Sequence, residues 1–407
     1  MKRSKYFELF GDKNFLFLWI GTLGFGLGGA IFSISLNWWV LIETNSEVQL
    51  GIVNTLIFLP MLILCFFSGL LTDMFNRLNL MVFSLMLRGI IILIFPILQI
   101  LRIIELWHIY ILSFLQGISF PFFLNSINAI MPEIIKRENL YPANALIDSA
   151  MWFSNVVGYL SGGFLINTLG YISLFTISAY TLIIGSLMFF PIKYTYRNKI
   201  ENISLRRILS DIKKGLVIMK NDSVLLMLTI TWTIIMMLFS NGPISIGLPV
   251  FSERILNAGS EGYGILVTAV SASSLIGSLM IGHWGSKIKK GRLTLIGYIW
   301  GAIGILIFTF TTNIVFSASI LFFWSFYFPL INIPYWTAMQ ERIPHEELGK
   351  ITGVSFTLNS VVVPISTMMT GYVMEFISIT LPFILFSTSF ILCFFIIYLH
   401  KKSRKLV

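Results

Sequence analysis

Runs of twenty or more residues without a charged side chain recur along this sequence from one end to the other. About 20 such residues in a helix cross the ~30 Å of hydrocarbon in a bilayer. Lipid offers no water to satisfy backbone N–H and C=O groups, so a run of this kind must close its own hydrogen bonds as a helix. Composition agrees: 56% of the 407 residues are hydrophobic, 11% are charged, and mean hydropathy is +0.86. The pattern predicts twelve spans, near 14–41, 50–71, 79–101, 104–131, 143–168, 171–192, 223–252, 260–284, 292–312, 313–340, 350–376 and 380–400. The fold class expected is an all-α integral membrane protein of twelve transmembrane helices in two six-helix halves.

The net charge of +10 reports topology. With a cytoplasmic N-terminus, 25 of the 28 Lys and Arg fall in the tails and cytoplasmic loops, leaving Arg102 and Arg254 outside and Arg88 within a span. This is the positive-inside bias, and it puts both termini in the cytoplasm of a multi-pass plasma-membrane protein. It argues against a nucleic-acid partner. Cys65 and Cys393 fall in apolar spans and imply no disulfide framework. The first apolar run is too long for a signal peptide and lacks a small-residue cleavage site.

The stretch Phe114–Gly163 recurs without a gap 208 residues later as Phe322–Gly371. Phe120-Pro121 maps onto Phe328-Pro329, Met131 onto Met339, Glu133 onto Glu341, Glu138 onto Glu346 and Leu140 onto Leu348. A half-length repeat in a membrane chain means two related half-proteins, and it points to a transporter. The halves expected are 1–192 and 223–407. Between them, 193–222 carries eight basic residues. There Leu205, Ile208, Leu209, Ile212, Leu216 and Val217 recur at helical spacing, opposite Arg206, Arg207, Lys213 and Lys214. This is the pattern of an amphipathic helix on the cytoplasmic leaflet.

Three motifs add detail. After span 2 the chain reads Gly69-Leu-Leu-Thr-Asp73-Met74-Phe75-Asn76-Arg77, and after span 8 Gly282-His283-Trp284-Gly285-Ser286-Lys287. Both resemble the loop signature Gly-x-x-x-Asp-Arg-x-Gly-Arg-Arg of the major facilitator superfamily, with Met74 and Leu78 at two basic positions and Ser286 at the acidic one. Span 5 carries Gly158-Tyr159-Leu160-Ser161-Gly162-Gly163, which resembles the family's antiporter motif Gly-Pro-x-x-Gly-Gly with Tyr159 for proline. Generic small-residue helix packing explains these glycines equally well. The Glu133–Leu140 and Glu341–Leu348 turns, with Pro364–Gly371 in span 11, resemble the macrolide-efflux-like branch of drug:proton antiporters. The resemblance implies alternating access around a central cavity. It implies a conformational gate of Gly69, Asp73, Arg77, Glu133, Gly158, Gly162, Gly163, Gly282 and Glu341.

Ionisable groups inside spans are expensive and functional by default. Arg88, about 13 Å of helix into span 3, either faces the cavity to meet an anionic substrate or control a carboxylate pKa, or is structural, snorkelling to the inner surface or paired with a buried acid such as Asp148. Asp148, in the first turns of span 5, and Glu43, at the outer end of span 1, are the proton-coupling candidates. Each is equally readable as a helix-end or loop carboxylate. No acid lies at a clear midplane, which leaves the coupling mechanism open. The expected cavity residues are Asn37, Arg88, Gln116, Asn125, Asn128, Trp324, Asn332 and Trp336. Amide, Met and aromatic groups suit a bulky amphiphile, although any one aromatic here is also an ordinary packing residue.

Membrane-enzyme chemistry finds no support: there is no His-Glu-x-x-His, Gly-x-Ser-x-Gly or phosphate-cradling Gly-rich loop, and the four histidines are scattered. No cofactor is expected. The reading is export of an amphiphilic, macrolide-like compound by a monomer in exchange for protons. Export of an endogenous siderophore or peptide is the alternative.

Overall fold

The computed structural model describes residues 5–136, 139–194, 205–284, 288–343 and 345–404. Among them, every regular element is helical: α1 (Lys5–Gly11), α2 (Lys13–Thr44), α3 (Glu47–Met74), α4 (Arg77–Ile100), α5 (Leu106–Ile134), α6 (Leu140–Leu187) and α7 (Leu205–Asn221). There follow α8 (Ser223–Arg254), α9 (Gly259–Trp284), α10 (Lys290–Thr309), α11 (Ile314–Trp324), α12 (Tyr327–Arg342), α13 (His345–Phe376), α14 (Leu381–Leu399) and α15 (Lys401–Arg404). Nine spans among the described residues are long and apolar enough to cross a membrane, α11 and α12 counting together as one. The chain divides into two compact units. One holds Met1–Trp39 with Leu56–Asn202; the other holds Val40–Thr55 with Ile203–Val407.

In the first unit, α6 has 48 residues, about 72 Å if straight and far more than a bilayer. It bends at Gly170, whose φ of 72° and ψ of 171° suit a residue without a Cβ. α4 packs along both α5 and α6. The core there includes Phe32, Phe95 and Phe175, with Phe95 stacked on Phe175 at 4.8 Å. Gly158 and Gly162 of α6 meet α2 at close range. A Cβ at Gly158 would lie 2.6 Å from Ala30, and one at Gly162 would lie 2.5 Å from Ile34.

In the second unit, α8 is interrupted by π-helical stretches at Thr229–Met236 and Pro243–Gly247. Pro243 and Pro249 remove backbone donors, so the regular ladder cannot continue through this region. The helix opens on Asp222, whose carboxylate accepts from the amides of Val224 and Leu225 at 2.8 and 3.3 Å. α7 forms over the linker and packs on α13, with Lys213, Lys214, Leu216 and Val217 all exposed.

The repeated segments share their backbone ending. α5 ends at Ile135 (φ −109°, ψ 136°), whose N–H donates to Met131 O; α12 ends at Ile343 (φ −108°, ψ 130°), whose N–H donates to Met339 O. The upstream halves differ. α5 is continuous, whereas its counterpart is cut at Ser325–Phe326 into α11 and α12.

Candidate functional site

Arg88 is the chemical centre of the first unit. It lies midway along α4 and is 7% exposed. Its Nε donates to Gln116 Oε1 at 3.0 Å, and its guanidinium lies over the ring of Phe25 at 5.4 Å. Phe25 is itself stacked on Phe123 at 4.0 Å. NH2 and NH1 lie 3.5 and 3.6 Å from where a Cβ of Gly29 would stand, and Tyr159, hydrogen-bonded to Ser33, borders the charge. Tyr159 thus occupies the place where the antiporter motif has proline. Arg88 and Gln116, both expected at the cavity, are brought together. Asn37 is buried, Asn125 half-buried and Asn128 exposed.

The second unit carries a neutral cluster. The Tyr335 hydroxyl is 3.1 Å from Thr233 Oγ1 and 3.3 Å from Ser355 Oγ. Its ring lies near Trp232 and at right angles to the half-buried Trp336. One π-helical stretch of α8 supplies both Trp232 and Thr233, and π-bulges often mark functional sites. Asn332 is half-buried. Asn359, on α13, buries an Oδ1 with no partner among the described residues. Trp324, expected in the cavity, is packed instead: it is 1% exposed, donates to Gly301 O at 3.0 Å and presses against Gly304 and Tyr327.

The two glutamates of the repeat stand at equivalent corners. Glu133 is ion-paired with Arg77, the first residue of α4, and accepts from the Tyr194 hydroxyl. Burial, then the hydrogen bond and charge of Glu133, push Tyr194 up to about 12, so it remains a donor. Glu341 accepts from Lys290, the first residue of α10, at 2.7 and 2.9 Å. Beside it, Arg342 grips Asp222 at 2.8 Å. Burial alone would raise the Asp222 carboxyl. The Arg342 hydrogen bond, the two amides and the Arg342 charge outweigh it and hold the group below its usual 3.8.

A further polar corner is built on Val40–Thr55. Glu47, buried at the start of α3, meets Arg254 at 3.4 Å, while Arg254 also donates to Asn45 Oδ1 at 2.5 Å. Glu375 of α13 accepts from the Val48 amide at 2.8 Å and from the Ser46 hydroxyl. Below this, a Cβ at Gly371 would lie 2.5 Å from Glu47 O, and Thr55 meets Thr367 at 2.9 Å. These partners are far apart in sequence, and no local pattern announces them. Glu43 and Asp148 are both exposed. Gly163 is buried, and the side-chain surroundings of Gly69, Asp73 and Gly282 lie outside the described residues.

A family model of the Major Facilitator Superfamily matches residues 18–367. The chain is 20% identical over 399 residues to macrolide efflux protein A of Streptococcus pyogenes, covering 97% of each. It is 23% identical over 374 residues to the MFS-type transporter YvqJ of Bacillus subtilis, covering 88% of this chain and 86% of that one. It is 23% identical to multidrug resistance protein MdtG of Escherichia coli over 72% of this chain and 70% of that one. The solved nucleoside transporter NupG superposes with a TM-score of 0.75 over 96% of this chain and 100% of its own, at 12% identity.

Proposed function

The chain belongs to the Major Facilitator Superfamily, and from that premise we propose that it exports amphiphilic compounds by alternating access, in exchange for protons. It is a multi-pass plasma-membrane transporter rather than an enzyme. Export is supported chiefly by one observation: the efflux relative from Streptococcus pyogenes matches end to end. Macrolide-like compounds are therefore the first substrates to test. The twelve-span topology, with both termini inside, is part of this reading. Dividing α6 at Gly170, and counting α3 and α13 alongside the nine spans, brings the described helices to twelve.

In this scheme the Glu133–Arg77 and Glu341–Lys290 corners belong to the cytoplasmic gate. The Glu47–Arg254 corner belongs to the outer one, and its bonds break when that side opens. Glu43 and Asp148, being exposed, are open to proton exchange. Drug susceptibility of an efflux-deficient host expressing the chain, with and without a protonophore, is the direct test. Resistance that the protonophore abolishes is expected; unchanged susceptibility to macrolides, lincosamides and dyes would falsify the drug-export reading. An endogenous acidic metabolite such as a siderophore or peptide is the second reading, and the buried cation Arg88 favours it.

A further inference from the structure

We propose that Arg88 is the recognition site for a carboxylate on the transported molecule, an inference that rests on the export reading above and narrows its substrate class. A guanidinium carries five N–H donors in a planar fork. Only the Nε–H of Arg88 has an acceptor among the described residues, Gln116 Oε1. Among the described residues no carboxylate is ion-paired with it. A buried cation in a membrane span is costly without a counter-charge. The Phe25 ring face offsets part of that cost. The four N–H groups of NH1 and NH2 are left for an acceptor that the described residues do not supply, and two parallel bonds to a carboxylate fit that fork.

The other half of the molecule argues that this is a built feature. Arg88 lies eleven residues after Arg77, and Gly301 lies eleven after Lys290, the two bases at equivalent corners. Gln116 and Trp324 are equivalent in the repeat. The same contact between helices therefore exists twice. In one unit it is Gln116 holding Arg88; in the other it is Trp324 bonded to Gly301 O, with Phe390 filling the space above Gly301. One copy is plugged by aromatic rings, and the other keeps a charge with most of its donors unspent. Gln116 holds the guanidinium at Nε, while NH2 and NH1 lie 3.5 and 3.6 Å from where a Cβ of Gly29, on α2, would stand. A basic amine brought to the NH1–NH2 edge meets like charge, so within the export reading this site favours acidic amphiphiles over amine-bearing, macrolide-like ones.

The test is binding to the purified full-length protein in nanodiscs, using a rhodamine that carries a free carboxyl group and its methyl ester. Wild type is expected to bind the acid at least tenfold more tightly than the ester. Arg88→Gln is expected to erase that preference, acid and ester then binding alike, and Arg88→Lys to restore only part of it, since a point charge lacks the fork. Equal binding of acid and ester by wild type, failure to bind either, or a preference that survives Arg88→Gln overturns the proposal. The wild-type comparison stands even if the variants do not fold. Extrusion of either dye from cells is scored separately. Loss of extrusion with the acid preference intact refutes export and spares the carboxylate site.

Discussion

The contact between Gln116 and Arg88 and the contact between Trp324 and Gly301 join equivalent positions of a duplicated design, yet they do opposite things. In the first, two polar groups hold each other inside an apolar bundle, and α5 runs through unbroken. In the second, an indole fills the notch left by Gly301 and Gly304, and the helix breaks directly afterwards at Ser325–Phe326. The first contact buries a charge and an amide, the second an aromatic ring. The repeated corners tell a milder version of the same story. Glu133 has Arg77 and Tyr194, whereas Glu341 has Lys290 alone among the described residues and is more exposed, at 56% against 39% of its side chain.

The contrast is broken most severely at Trp324. Truncation to Ala leaves a void among Gly301, Gly304, Tyr327 and Phe386, and about 3–5 kcal/mol of stability should be lost. Gln116→Ala should cost less, about 1.5–3 kcal/mol, since it removes a hydrogen bond to a buried charge but opens a smaller void. Thermal unfolding of the two variants in the same detergent decides the matter, and equal losses would erase the distinction. Gly301→Leu comes next. Its Cβ would stand 2.3 Å from Phe390, so overpacking of about 1–3 kcal/mol is expected, and Phe390→Ala in the same chain should relieve it.

At the corners the effects are smaller. Glu133→Gln should slow transport more than Glu341→Gln, because an exposed single pair contributes only about 0.2–1 kcal/mol. Transport rates in high salt should fall less for the Arg77 corner than for the Lys290 corner. The smallest effect is a pH dependence. The Asp222 carboxyl is depressed, so its contribution is present above its unfolded value near 3.8 and is lost as pH falls through the lower folded value. Arg342→Gln should shrink that acid limb of the unfolding profile, and an unchanged profile would show that the Arg342 pair contributes nothing.

Much of this was legible in the residues. Charge-free runs marked the spans, because a helix in lipid needs only length and apolarity. The repeat placed Glu133 and Glu341 at matching corners, and their extended caps at Ile135 and Ile343 follow from nearly identical segments. Arg88 and Gln116 stood out because polar groups at such depth are rare. Trp324 misled, since an aromatic residue in a span looks alike whether it lines a cavity or fills a core. Only the approach of Gly301 and Gly304 shows which. Tyr335, Thr233 and Ser355 were missed because Ser, Thr and Tyr in a membrane helix are common and give no pattern.

The sequence by itself determined that this chain crosses the membrane many times as helices, that it carries the segment Phe114–Gly163 a second time, and that a cation lies within one span. These are consequences of solvation and of duplication, and both are written along the chain. Tertiary structure alone decided that Glu47, not Glu43, is the buried acid of the first turn, held by Arg254 and grouped with the second unit. It alone decided that the guanidinium of Arg88 meets an amide and a ring but no carboxylate among the described residues. Such pairings join residues 28 to more than 200 positions apart. They depend on how helix faces are rotated against one another, which local periodicity in an almost uniformly apolar sequence does not encode.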